Sequence, residues 1–138
     1  MSQRANSIAA GLGFYAVLVA AFYAVHRLAF DVAGGPPMWF WAGWPIFDAA
    51  KAVVPGAAAG WLCRAGALRS GAIVGGVGGL IEVLTLGVLN VMPLSEFPAR
   101  MTVGIVVAAL MSAFTNAIGA AAGAFWHGAR TLDGVARD

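Results

Sequence analysis

One acidic residue stands out because it lies inside a long apolar stretch. Glu82 is the only charged residue between positions 70 and 95. A charge at the middle of a bilayer costs about 2.5–3.5 kcal/mol on insertion scales, so this side chain is expected to face protein or water rather than lipid. Carboxylates at this depth commonly mark a proton or ion path. Glu82 is therefore the first candidate for chemistry.

Polar partners for Glu82 are expected on two other helices. The last apolar stretch carries Ser112, Thr115 and Asn116. Helical spacing places these residues close together on one side of that helix. If this helix runs antiparallel to the helix of Glu82, they come to nearly the same depth. We predict a hydrogen bond to Glu82 from Asn116, Ser112 or Thr115, with Tyr15 as a further donor, together forming an ion or proton site.

Two interpretations of Glu82 remain open at this stage. In the functional one, the carboxyl group binds a proton or a cation. In the structural one, it is neutral and hydrogen-bonds to neighbouring helices, within one chain or across an oligomer interface. No basic side chain is predicted at its depth, which suits the structural interpretation. Helix adhesion rarely needs an acid where Ser or Asn would serve, and this favours the functional one.

The composition identifies the environment. Hydrophobic residues make up 61% of the 138 residues and charged residues only 10%, and the mean hydropathy is +0.84. A soluble domain carries about a quarter charged residues, because most of its surface meets water. We therefore predict an all-α integral membrane protein whose principal partner is the lipid bilayer.

Several classes of function are disfavoured by the absence of their sequence patterns. The basic residues are scattered, so no nucleic-acid partner is expected. No metal or cofactor motif and no nucleophile–base pair occurs, so we expect no metal, no cofactor and no catalytic residue. The pattern does not favour an enzyme.

Four transmembrane helices are predicted in a single domain covering residues 1–138, at about residues 5–28, 45–64, 70–92 and 101–127. Three of these stretches are nearly free of charge over the roughly 20 residues that a span requires. The first is longer than the apolar core of a secretory signal, so we expect it to be retained. Four short-linked spans would form a small antiparallel bundle.

The second span depends on a different argument, because it contains charges. We predict that it begins at Pro45, which places Asp48 near the positive end of the helix dipole. Lys51 lies three residues further on, close enough to pair with Asp48 while extending outward. Pro55 predicts a kink in this helix.

Orientation follows from the basic residues. Five of the eight Lys and Arg residues fall on the side that holds both termini. The positive-inside rule therefore predicts a multi-pass protein of the cell (inner) membrane, with its N- and C-termini in the cytoplasm.

Tryptophans are concentrated where interfaces are expected. Residues 29–44, rich in Trp, Pro and Gly, are predicted to form an outer interfacial loop. Amphipathic indole rings prefer the membrane–water boundary. The predicted interfacial anchors are Trp39, Trp41, Trp44, Trp61 and Trp126. The alternative is that the loop forms a mouth or a docking surface.

The string GAAAG occurs at residues 56–60 and again at 119–123. One interpretation is a pair of duplicated helical hairpins, related by a pseudo-twofold axis along the membrane normal. The other is independent selection for close helix contact, since small residues four apart let helices approach closely. The glycines predicted to pack helices together are Gly56, Gly60, Gly75, Gly79, Gly119 and Gly123.

The function favoured by this pattern is an oligomeric transporter or channel for a small solute or ion, with Glu82 in its path. The alternative is a scaffold or accessory subunit of a larger membrane complex, so the expected partner is a second copy or another membrane protein. A cofactor- or quinone-binding subunit is a third interpretation with a poor ligand set, because His26 and His127 lie at opposite membrane faces.

Overall fold

The computed structural model describes residues 3–30, 36–63, 65–88 and 98–135, and within these residues it contains four helices and no strand. The helices are α1 (Gln3–Phe30), α2 (Met38–Leu62), α3 (Ala67–Val88) and α4 (Pro98–Val135). The predicted all-α, four-helix fold is confirmed.

Three of the four helices are long and apolar enough to cross a membrane, over Gln3–Phe30, Ala67–Thr85 and Val103–Gly128. Their outward surfaces carry bulky apolar side chains, such as Leu28 at 70% and Phe125 at 77% exposure. A soluble protein rarely leaves so much large apolar surface in water. The chain is therefore membrane-embedded. In α2 the apolar run is interrupted midway by Asp48 and Lys51.

Consecutive helices run antiparallel, and α2 and α3 occupy the centre of the bundle. The start of α1 meets the end of α2, where Gln3 Nε2 donates to the Leu62 carbonyl at 3.2 Å. Both α1 and α4 pack against α2 and α3, whereas no backbone packing joins α1 to α4 in the described part of the chain. This arrangement leaves space between the two outer helices.

The two GAAAG strings are the two sides of one contact between the parallel helices α2 and α4. A Cβ at Gly60 would overlap the carbonyl of Ala120, and one at Gly123 would overlap the carbonyl of Ala57. The string glycines in such contacts are Gly56, Gly60, Gly119 and Gly123. Close packing thus accounts for the recurrence of the string. The duplicated hairpin stays a prediction.

The glycines of α3 play the same part against α4. A Cβ at Gly75 would overlap the Ser112 carbonyl, and one at Gly79 would lie 3.0 Å from the Ser112 Cβ. On the neighbouring side of α3, a Cβ at Gly78 would strike the ring of Tyr15. The small residues of α3 therefore allow α4 and Tyr15 of α1 to approach the helix that carries Glu82.

The start of α2 differs from the prediction. The helix begins at Met38 rather than at Pro45, so residues 38–44 of the predicted interfacial loop are helical. Pro37 is the N-cap, with φ −68° and ψ 159°, and prolines before a first turn cost no helical hydrogen bond. In an apolar environment a helix also tolerates an internal proline such as Pro45. Asp48 and Lys51 consequently lie near the middle of α2.

Other helix ends also differ from the predicted spans. α1 continues to Phe30 and α4 extends beyond the predicted span at both ends, because a helix does not have to stop where the hydrocarbon ends. The predicted end of the third span, residues 89–92, lies outside the described residues, as do 31–35 of the predicted loop.

Candidate functional site

Four polar side chains, one from each helix, meet at one point in the bundle. Glu82 of α3 forms an ion pair through Oε1 with the Lys51 ammonium of α2. The Tyr15 hydroxyl of α1 donates to Oε2 of the same carboxylate at 2.8 Å. Tyr15 also lies 3.2 Å from the Ser112 hydroxyl of α4, within hydrogen-bond distance. Both oxygens of the carboxylate are therefore satisfied by protein groups.

The neighbours of Glu82 indicate its depth. Tyr15 lies near the middle of α1 and Lys51 near the middle of α2. Glu82 itself is only 9% exposed and faces the bundle. A carboxylate beside the midpoint of a helix long enough to span a bilayer is far from both headgroup regions.

Lys51 is the main correction to the sequence interpretation. The sequence predicted no basic partner at the depth of Glu82, with Lys51 extending outward to Asp48. Lys51 does pair with Asp48, at 3.3 Å, but it also pairs with Glu82 and its side chain is only 16% exposed. The early start of α2 puts Lys51 mid-helix, facing α3. Its ammonium nitrogen lies 5.6 Å from the centroid of the Phe22 ring, a cation–π arrangement.

Two of the predicted partners of Glu82 bond elsewhere among the described residues. Asn116 is fully buried; its Oδ1 accepts from the Gly56 N–H at 2.8 Å, and its Nδ2 donates to the Ser112 carbonyl at 3.0 Å. Thr115 donates to carbonyls of its own helix. The adjacent Pro55 lacks an N–H and disturbs the helix ladder, which explains why a side chain of α4 reaches the backbone here. Asn116 thus links α2 to α4.

Glu82 lines a cavity of about 730 Å³ that is bounded by all four helices. The lining includes the charged residues Asp48, Lys51 and Glu82, and the hydroxyl-bearing residues Tyr15, Ser112 and Thr115. Its aromatic wall consists of Phe22, His26 and Trp44. Asp48, with 45% of its side chain exposed, is its most accessible charged group.

A second, smaller cavity of about 310 Å³ lies between α1 and α3. Six of its ten lining residues have no polar side-chain group, and the other four are Tyr15, Tyr23, Glu82 and Thr85. Tyr15 and Glu82 also line the larger cavity. Their hydrogen bond therefore lies in the wall that the two cavities share.

Contacts between aromatic rings stabilise the aromatic wall of the larger cavity. Trp44 meets the Phe22 ring edge-on at 4.6 Å between centroids, and His26 stacks on Phe30 at 4.3 Å. Of the predicted anchors, Trp39 and Trp41 are more than half exposed on the first turns of α2. Trp44 instead belongs partly to the cavity wall.

The predicted anchors at the other end of the bundle also differ from each other. Trp126 is 58% exposed on α4. Trp61 is half-buried and meets the His127 ring edge-on at 5.1 Å. Trp126 thus retains the exposure expected of an interfacial anchor.

The charges of the site do not cancel. Asp48 and Glu82 share one lysine, so the ionised trio carries a net negative charge. Such a site favours a proton or a cation. Within the described residues, no three His, Cys, Asp or Glu side chains come together to hold a metal ion.

The sequence does contain one signal for the missed pair. A lysine inside a predicted span needs acidic partners within the protein, and besides Asp48 the predicted spans offer Glu82. The comparisons with known proteins give no further guide: no family model matches the chain, and no curated protein or solved structure is detectably similar to it.

Proposed function

We propose that this chain is a subunit of an oligomeric transporter or channel for a small solute or ion, with Glu82 at its central binding site. The observation that carries the proposal is that the Glu82–Lys51 pair lines a cavity of about 730 Å³ instead of being packed solid. A carboxylate held at membrane depth beside open space is accessible to a permeating group. Intramembrane charges in cavities typically belong to substrate or ion paths.

The hydrogen bonds of the site support a role in proton or cation binding. Tyr15 and Lys51 hold both carboxylate oxygens in place, so the acceptor group is preorganised. Lys51 has a second partner in Asp48 and can leave Glu82 without becoming an isolated charge. The site can therefore exchange its cationic partner, which transport requires.

In this proposal the chain crosses the cell (inner) membrane four times, with both termini in the cytoplasm. The support is that α2 passes Glu82 antiparallel to α1 and α3, and that five of eight basic residues lie on the terminal side. Cysteine labelling tests this placement in a Cys63→Ala background. Met38→Cys, at an 83% exposed position, should react only from outside, and Ala65→Cys, in the exposed α2–α3 turn, only from the cytoplasm. Labelling of both from one side would contradict a crossing by α2.

Flux measurements test the transport function. Purified protein is reconstituted into liposomes loaded with pyranine, and proton movement is followed under imposed pH, sodium or potassium gradients. We expect pH-dependent flux in the wild type and its loss in Glu82→Gln. Ser70→Ala is the matched control, because it changes a buried residue of the same helix about three turns away that does not line the cavity.

The outcomes separate transport from its alternative. Wild-type flux no faster than that of protein-free liposomes under every gradient would contradict the transport of protons, sodium and potassium. Equal flux in Glu82→Gln and the wild type would exclude Glu82 from the path.

A scaffold or accessory subunit is the second candidate, and one observation favours it. The Glu82 carboxylate connects α1, α2 and α3 through fully paired contacts, as a structural cross-link would. A scaffold would show no flux and would purify in mild detergent with a defined larger assembly. A homo-oligomer purified alone would favour transport.

A further inference from the structure

The cavity already holds an ammonium group in a complete set of recognising groups. The Lys51 nitrogen pairs with Glu82 Oε1, lies 3.3 Å from Asp48 Oδ1 and lies 5.6 Å from the centroid of the Phe22 ring. Carboxylates and an aromatic face are the groups that select an ammonium ion over a neutral or anionic group. The site is thus shaped for an ammonium ion that the chain itself supplies.

We propose, on the basis of the transport function above, that the ligand of this cavity is a small organic cation with a single ammonium group, which takes the place of Lys51 at Glu82. Lys51 occupies the site when no ligand is bound. When the ligand arrives, Lys51 keeps its contact with Asp48.

The charge balance of the cavity indicates a ligand with a single positive charge. Within the described ranges Asp48 and Glu82 share only Lys51, so one further cation makes this cluster neutral. The other titratable side chains that line the cavity are Tyr15, which donates to Glu82, and His26 at the aromatic wall. An anion would add to the negative charge already present, and a dication would reverse it.

The space and the mobility of lysine permit the exchange. The cavity of about 730 Å³ is far larger than the volume filled by one ammonium group, and Phe22 and Trp44 offer apolar surface to an alkyl chain. Lysine carries its charge on a flexible four-carbon stem. Its ammonium can therefore move toward Asp48, the more exposed of its two partners.

Calorimetric titration of the purified wild-type protein with ethylammonium chloride tests the proposal, with sodium chloride and sodium propionate as control titrations. We expect saturable binding of ethylammonium and no heat of binding from propionate. Glu82→Gln should weaken binding about ten- to hundredfold, because a charge-assisted hydrogen bond is lost. Ser70→Ala should bind like the wild type.

Lys51→Ala supplies the sharpest comparison, because it removes the tethered competitor. Binding of ethylammonium should then become at least about tenfold tighter than in the wild type. Asp48→Asn changes an exposed position and serves if Lys51→Ala fails to fold. It should weaken binding, because Lys51 is left with Glu82 as its only acidic partner.

The proposal is overturned if the wild type shows no saturable binding, or if Glu82→Gln binds ethylammonium as tightly as the wild type does. It is also overturned if neither Lys51→Ala nor Asp48→Asn changes the affinity. Binding without flux in any liposome assay would refute the transport function but retain the ammonium site. Flux of protons without ethylammonium binding would refute the ammonium site but retain the transport function.

Discussion

Replacing Lys51 and replacing Glu82 should lower the free energy of unfolding by unequal amounts, although each change removes the same ion pair. Lys51→Met removes the only cation that contacts Glu82 among the described residues. Glu82→Gln leaves Lys51 paired with Asp48, and the amide oxygen of Gln can still accept from Tyr15. The lysine variant should therefore be the less stable of the two.

The burial of the Lys51–Glu82 pair indicates how large the two losses of unfolding free energy should be. The two side chains are only 16% and 11% exposed, so water screens them little. Removing one partner of a buried pair costs about 3–5 kcal/mol, because the other charge is stranded. We expect this loss for Lys51→Met and about 1–2 kcal/mol for Glu82→Gln, which loses one charged hydrogen bond. The double variant leaves only the more exposed Asp48 without its lysine and strands no charge at position 82, so the two effects should be coupled by about 2–3 kcal/mol.

Equilibrium unfolding in mixed micelles of dodecyl sulfate and dodecyl maltoside, followed by circular dichroism, measures these free energies. Asp48→Asn is the control, since its pair with Lys51 is more exposed and should contribute less than about 1 kcal/mol. Equal losses in Lys51→Met and Glu82→Gln, or a double variant as unstable as the sum of the two, would show that Glu82 is not held by Lys51.

Three further predictions concern packing and hydrogen bonding. Gly60→Ala should lower the free energy of unfolding by about 1–3 kcal/mol, because its Cβ would overlap backbone of α4. Gly13→Ala, whose Cβ meets open space, should raise the free energy of unfolding by up to about 1 kcal/mol. Equal shifts in the thermal unfolding of the two variants would contradict the α2–α4 contact. Asn116→Leu should cost about 1–3 kcal/mol, because it leaves the Gly56 N–H without its acceptor, and hydrogen exchange at that amide should accelerate. Ser70→Ala removes a buried hydroxyl that has no hydrogen-bond partner among the residues that the structure describes, so unfolding midpoints should stay equal or rise; a clear fall would show that the hydroxyl is bonded.

Much of the architecture was predictable because its causes are local in the chain. Long apolar runs predict α1, α3 and α4, since a helix satisfies its own backbone in lipid. Small residues four apart predict close helix contacts, and Gly60 and Gly75 lie at such contacts. The burial of Glu82 also follows from its isolation in an apolar run, because a charge in lipid is costly.

The partners of Glu82 were predictable only in part, because Tyr15 was among the predicted donors and Lys51 was not among the predicted partners. Lys51 and Glu82 are separated by 31 positions, and their meeting depends on where α2 begins and on how far it slides along α3. Local rules placed that start at Pro45, whereas the helix begins at Met38. Asn116 likewise bonds to Gly56 rather than to Glu82, because its side chain points toward α2.

By itself, then, the sequence determined that this protein lies in a membrane as helices, that glycines bring those helices together, and that an acid is buried among them. These properties depend on residues within one helix and on the solvent around it. Only the tertiary structure decided that Lys51 pairs with the acid, that Ser112 is linked to it through Tyr15 rather than directly, and that a cavity remains beside it. Each of these depends on the relative register of separate helices. Contacts such as Gly60 against Ala120 set that register, and no periodic pattern in the sequence shows which residues of two helices will meet.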